Sequence, residues 1–151
     1  MIKIICVGKI KEKYLKEAID EYTKRISKYT KINIIEVSDI DNPNKEIVLL
    51  KEKELIEKHI DNKDFVITLE IEGNQLSSEE LSKKIDSIFN TNSTITFIIG
   101  GSYGLHQEIK ERSNYKLSFS KLTFPHQLFR VNLLEQIYRT FKINNNEAYH
   151  K

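Results

Sequence analysis

The chain has one cysteine, Cys6, so it can form no disulfide within a single molecule and no multi-cysteine metal site. Cys6 lies in the apolar run from Ile4 to Val7, which predicts a buried structural thiol rather than a reactive one. Tryptophan is absent, and two prolines among 151 residues leave no proline-rich linker. Glycine is scarce as well, yet three of the five glycines, Gly100, Gly101 and Gly104, crowd into one short stretch. Long apolar runs are missing: the amino-terminal one is bounded by Lys3 and Lys9, so neither a membrane span nor a signal peptide's apolar region is expected. A soluble, cytoplasmic protein without a membrane partner follows as the expectation. The four histidines, His59, His106, His126 and His150, are scattered, no Cys-His spacing exists and no G-x-S-x-G elbow occurs, so no metal is expected. His59 and His106 read most simply as solvated or capping residues.

What is present suits one domain over residues 1–151, with 39% hydrophobic and 30% charged residues. The net charge of +2 conceals a segregation. Residues 1–31 carry nine basic and four acidic side chains, residues 105–151 carry eight and four, and residues 32–104 carry seven and fourteen. If the two ends meet on one face, that face attracts a polyanion; otherwise the surface is merely patchy.

Apolar patterning predicts alternating strands and helices. Ile2 to Val7 reads as a strand buried on both faces, and Leu15, Ala18, Ile19, Tyr22, Ile26 and Tyr29 mark a helix from Glu12 to Tyr29. A second strand spans 32–37, a helix about 45–60, and a third strand 65–69, after which Gly73-Asn74-Gln75 reads as a turn. Ser77 and Glu80 have capping-box spacing ahead of a helix through Phe89. The β-branched run 94–99 runs straight into the glycine stretch, 117–119 gives a fifth strand, and 127–143 a long helix. The expectation is an α/β fold, an open and mainly parallel sheet with helices on both faces.

In such sheets ligands bind beyond the carboxyl ends of the strands, which directs attention to the loops after Leu69, Ile99 and Phe119. Gly100, Gly101 and Gly104 suit a site built from backbone groups, or a plain turn into a helix; they match neither a dinucleotide fingerprint nor a P-loop. The link from Phe119 to His126 carries two aromatics and a leucine where a loop would be polar. It is either packing beneath a connection or an apolar slot for a flat ring.

Taken together, Ile99-Gly100-Gly101-Ser102-Tyr103-Gly104-Leu105 and Leu117-Ser118-Phe119-Ser120-Lys121-Leu122-Thr123-Phe124-Pro125-His126-Gln127 resemble the SPOUT superfamily of methyltransferases, and closely its large-subunit ribosomal RNA branch. Val7-Gly8-Lys9, Thr68-Leu69-Glu70-Ile71-Glu72-Gly73, Glu135-Gln136-Ile137-Tyr138-Arg139 and Tyr149-His150-Lys151 extend the likeness in order along the whole chain. The resemblance implies a carboxyl-terminal trefoil knot and S-adenosyl-L-methionine as cofactor, held by Leu69, Gly100, Phe119, Ser120, Lys121, Leu122, Thr123 and Phe124. It also implies a homodimer that methylates N3 of a pseudouridine in 23S rRNA, within the large subunit or assembled ribosome. Asn146 and Ala148 depart from a glycine and a proline common in relatives, and Asn tolerates the left-handed backbone needed to turn the tail.

Because methyl transfer rests mostly on positioning, few catalytic groups are needed. Candidates for acid–base work are His126, Glu135 and His150; Arg130, Arg139, Tyr149, His150 and Lys151 are candidates for RNA contact. Glu135 and Arg139 also have the spacing of an i,i+4 helix ion pair. Leu128, Phe129 and Leu133 flank the inner stripe of the last helix, either as spare apolar area for a dimer or as deeper burial in one subunit. The competing readings are a knotted transfer-RNA methyltransferase and a nonenzymatic nucleotide- or RNA-binding module.

Overall fold

Strands and helices alternate along the computed structural model, which describes residues 1–151. In chain order they are β1 (Ile2–Val7), α1 (Lys13–Ile26), β2 (Ile32–Val37), α2 (Lys45–Glu57), β3 (Phe65–Gln75), α3 (Ser78–Phe89), β4 (Ile95–Ile99), α4 (Gln107–Arg112), β5 (Tyr115–Ser118) and α5 (His126–Asn144). The strands form one sheet in the order β2-β1-β4-β3-β5, with every pairing parallel. Alternation within the apolar runs decides which layer each side chain joins. Ile2, Ile4 and Cys6, with Ile67, Phe97 and Ile99, pack under α1, α3 and α5. Ile5, Val7, Val66 and Ile98 point the other way, against α2 and α4. Both faces are therefore covered, which is why β1 and β4 read as nearly continuous apolar segments, interrupted only by Lys3 and Thr96. Burial pushes the Cys6 thiol up to about 12, so it stays protonated and unreactive at neutral pH.

The helix signals hold where their chemistry is local. Ser77 Oγ accepts the Glu80 N–H at 3.0 Å while Glu80 returns a bond to the Ser77 N–H at 3.0 Å, the reciprocal box the spacing implies. His106 caps α4 by accepting the Glu108 N–H at 3.0 Å, and His59 is exposed. Several boundaries differ: α2 stops at Glu57, β5 spans Tyr115–Ser118 and leaves Phe119 to the link, and two others have a clear cause. Helix α1 stops at Ile26, and a turn through Ser27 and Thr30 carries Tyr29 onto Phe141, stacked at 5.6 Å. Strand β3 continues to Gln75 beside β5 after a register shift between Leu69 and Asn74. Gly73 is not a turn residue: a Cβ there would meet the Lys116 carbonyl at 2.8 Å, so glycine is required by close strand approach.

At the opposite rim from the glycine stretch, Lys3 is buried with its ammonium 2.8 Å from Asp64 Oδ2. Burial alone would raise the Asp64 pKa, but Lys3, the Asp61 N–H and the Thr96 hydroxyl outweigh it and hold the carboxyl below its usual range. A depressed folded-state pKa adds stability that is present above the unfolded value of about 3.9 and lost as pH falls through the folded value. Asp64→Asn should therefore cost about 3 kcal/mol at pH 7, by leaving the buried ammonium with only the His59 carbonyl at 2.7 Å and the exposed Asp61 carboxylate at 3.6 Å, and lose less further stability below pH 4 than the natural chain. Urea unfolding at pH 7 and pH 3 measures both effects.

Helix α5 ends in a left-handed turn. Glu147 N–H bonds the Lys142 carbonyl at 3.0 Å and Asn146 N–H the Ile143 carbonyl at 3.1 Å, with Asn146 at φ 54°. The asparagine thus does what glycine does elsewhere. Asn146→Ala should lower stability by about 1–2 kcal/mol and Asn146→Gly should not, as thermal melts of the two would show.

Candidate active site

The carboxyl ends of β3, β4 and β5 open onto one cleft of about 540 Å³, within the range of small-molecule sites. Its floor is the glycine stretch. Gly104 N–H bonds the Gly101 carbonyl at 3.0 Å, and Gly104 adopts φ +77°. A Cβ on Gly100 would lie 2.6 Å from the Gly104 carbonyl oxygen, and one on Gly101 would lie 3.0 Å from Val7 Cγ1. The loop therefore folds back on itself as only glycine permits, presenting main chain rather than side chains to the cleft.

Leu69 and Gly100 line the cleft, and so do Phe119, Ser120, Leu122, Thr123 and Phe124. Lys121 is exposed and does not line it. The link after β5 is pinned from within: Ser118 Oγ donates to the Ile71 carbonyl at 2.8 Å, and Ser120 Oγ accepts the Leu122 N–H at 3.0 Å. Phe119 and Phe124 pack on Phe129, at 4.8 and 5.9 Å between ring centroids. The apolar link is both packing and cleft wall, since all three rings face the cavity. Leu122 is 71% exposed at its mouth. Glu70, Glu72, Lys110 and Phe129 also line the cleft and are not among the expected site residues; both carboxylates lie within three positions after Leu69, a nearness that could have pointed to them.

His126 opens α5 and lines the cleft. Glu135, Arg139, Tyr149 and His150 instead form a network that ties the tail to α5 and α3. Arg139 donates two bonds to Glu135, at 2.5 and 3.0 Å, and Tyr149 donates a third at 3.1 Å. The Arg139 guanidinium also lies over the Tyr149 ring, 4.8 Å from its centroid. His150 bridges Arg139 at 2.9 Å and Glu79 at 2.5 Å, and its ring holds the Glu79 carboxyl below its usual range. Burial, reinforced by Glu135, pushes the Tyr149 hydroxyl up to about 12. Lys151 is exposed beyond the network.

The RNA contact expected at Arg130 is corrected. Arg130 is 1% exposed, with Nη1 2.6 Å from Glu36 Oε2 and Nη2 donating to the Gly8 carbonyl at 3.1 Å, so it cannot reach an RNA phosphate from this position. Leu133 is also fully buried within the chain, whereas Leu128 is 43% exposed. Helices α1 and α5 pack together, which brings the two basic end segments side by side. No helix is long and apolar enough to cross a membrane.

Residues 1–150 match the family model described as "Predicted SPOUT methyltransferase". A relative from Clostridium botulinum strain Hall, named ribosomal RNA large subunit methyltransferase H, is 60% identical over 99% of both chains. Its counterpart from strain Kyoto is 59% identical over the same shares. Among solved structures, one of "a probable methylase family protein" from Haemophilus influenzae superposes with a TM-score of 0.62 at 12% identity, covering 99% of this chain and 70% of that one, which is a likeness of fold. With its parallel sheet, its strand-end cleft and a match along almost its whole length, the chain belongs to the SPOUT methyltransferase family.

Proposed function

We propose that the protein is an S-adenosyl-L-methionine-dependent methyltransferase that methylates N3 of a pseudouridine in 23S rRNA, acting on the large subunit of assembled ribosomes in the cytoplasm. One observation carries the reading: three strand-end loops converge on a cleft floored by main chain, in a chain 60% identical to a large-subunit ribosomal RNA methyltransferase. The chain acts as one domain, its carboxyl-terminal part threaded as a trefoil knot, and pairs as a homodimer through the apolar mouth at Leu122 and Leu128. Sedimentation at micromolar concentration should give twice the chain mass; the mass of one chain would remove the dimer.

The residues present fit the methyl donor. Gly100 and Gly101 have little room for a Cβ, which would meet the Gly104 carbonyl or Val7, so glycine lets the loop fold tightly with its main chain lining the cleft. Phe119, Leu122 and Phe124 offer apolar surface to a flat ring, and the exposed Glu72 carboxylate offers opposite charge to a cationic ligand, while Glu70 is engaged by Thr68 at 2.6 Å and Lys110 at 3.9 Å. When bound, the cofactor supplies an electrophilic methyl on a sulfonium. The chain's own task is to hold the ring nitrogen of the substrate in line, worth up to roughly 7–11 kcal/mol, and to accept the N3 proton. His126 is the acid–base candidate facing the cleft. Both Arg139 and Tyr149 bond the same Glu135 oxygen, which ties that carboxylate into the tail network, so the network around His150 serves RNA positioning.

Ribosomes lacking the modification should take up radiolabelled methyl when incubated with the protein and cofactor, and transfer RNA should not. Label on transfer RNA alone would favour the other knotted enzyme, and label on neither would favour a binding module. His126→Ala should lower the rate about 100-fold or more; wild-type turnover would remove its role.

A further inference from the structure

Residues 8–12, between β1 and α1, are held by an unusual anchor for an exposed connection. Arg130 reaches from α5 to the Gly8 carbonyl and to Glu36, and the same Glu36 oxygen accepts the Ile10 N–H at 2.9 Å. Ile10 is itself buried, and Gly8, at φ +94°, makes the bend between the two anchored positions. Burying a guanidinium is costly unless its partners are well placed, and a simple connection could be held by backbone bonds alone. The anchored residues, Gly8 and Ile10, alternate with Lys9 and Lys11, which are exposed and make neither an ion pair nor a side-chain hydrogen bond. Lys13 differs, being 3.8 Å from Glu17. Glu12 is the one exposed acid within the loop, and Tyr14, 67% exposed, follows it.

The loop's place gives the anchor a purpose. Strands β1 and β4 are neighbours with Cys6 opposite Ile99, so the chain leaves the sheet at Val7 and Gly8 beside Gly100 and Gly101. Val7 already touches the space above Gly101, and Arg130 follows Phe129, which lines the cleft. Two unpaired cations are thereby held at a fixed distance from the cleft by a clamp that shares a helix with its wall.

We propose that Lys9 and Lys11 grip the sugar-phosphate backbone of the RNA substrate at the rim of the cleft, and that Arg130 is a positioning residue that holds them in place. This rests on the ribosomal RNA reading. Lysines without acidic partners exchange their counterions for phosphate, and a preordered loop loses little freedom on binding.

The test compares the wild-type protein, Lys9→Ala/Lys11→Ala and Arg130→Lys in two assays with ribosomes lacking the modification: co-sedimentation across a salt series, and methyl transfer. The double variant should bind ribosomes roughly tenfold more weakly, with a slope of log affinity against log salt shallower by roughly 1.4–1.8. Its KM for ribosomes should rise in step, with affinity for S-adenosylmethionine, read by calorimetry, unchanged. Arg130→Lys should raise KM while keeping the wild-type salt slope, because both lysines remain; a lower melting temperature with unchanged KM would reduce Arg130 to a structural role and overturn that half. Binding, slope and KM all at wild-type values in the double variant would overturn the whole. A wild-type protein that binds ribosomes without methylating them would sink the proposed function and leave the loop to be judged on binding. One that does neither would overturn both.

Discussion

Gly100→Ala should lower affinity for S-adenosylmethionine at least about tenfold, about 1.4 kcal/mol, and methyl transfer by roughly 100-fold or more. The added methyl would sit 2.6 Å from the Gly104 carbonyl oxygen and 2.7 Å from its carbon, contacts that real side chains do not make. Because the atoms met are backbone, relief requires the loop from Gly101 to Gly104 to open, and that loop is the floor of the cleft. Overpacking of this kind also costs about 1–3 kcal/mol of stability. Gly104→Ala is the informative contrast. Nothing lies within 4 Å of its Cβ, so the cost is backbone strain at φ +77°, about 1–2 kcal/mol, without a collision. Calorimetry and thermal melts on the two variants should separate collision from strain, and equal cofactor affinity in Gly100→Ala and the natural chain would remove Gly100 from the site.

The second large effect concerns the Arg130–Glu36 pair, and its asymmetry is the point. Arg130 is 1% exposed, whereas the Glu36 side chain is 35% exposed. Glu36→Gln leaves a buried guanidinium without a counter-charge and should cost about 3–5 kcal/mol, lowering the melting temperature by roughly 10 °C. Arg130→Met removes the buried charge itself and leaves a carboxylate that water can reach, so about 2–3 kcal/mol is expected. Thermal melts that reverse this order would show that the pair is not anchored by the burial of its arginine.

Features set by short-range chemistry were legible in the sequence. The capping box at Ser77, the nearly continuous apolar runs of β1 and β4, and the left-handed turn at Asn146 each depend on residues close together in the chain. The cleft was legible because chain order and parallel connection place the ends of β3, β4 and β5 on one rim, so the loops at Leu69, Gly100 and Phe119 had to be neighbours. What escaped depends on distant partners. Gly73 resembles a turn residue until Lys116 of another strand is seen against it. Arg130 carries a charge typical of surfaces and lies off the inner stripe that the spacing of apolar residues marks on α5; only Glu36, 94 positions away, explains its burial. The tail network likewise needs Glu79 of α3 to fix His150.

Calorimetric titration of the wild-type protein with S-adenosyl-L-methionine should give saturable binding that weakens in Gly100→Ala. No heat of binding at millimolar cofactor would contradict it, because a cleft floored by glycine backbone and walled by Phe119, Leu122 and Phe124 would then have no methyl donor to hold.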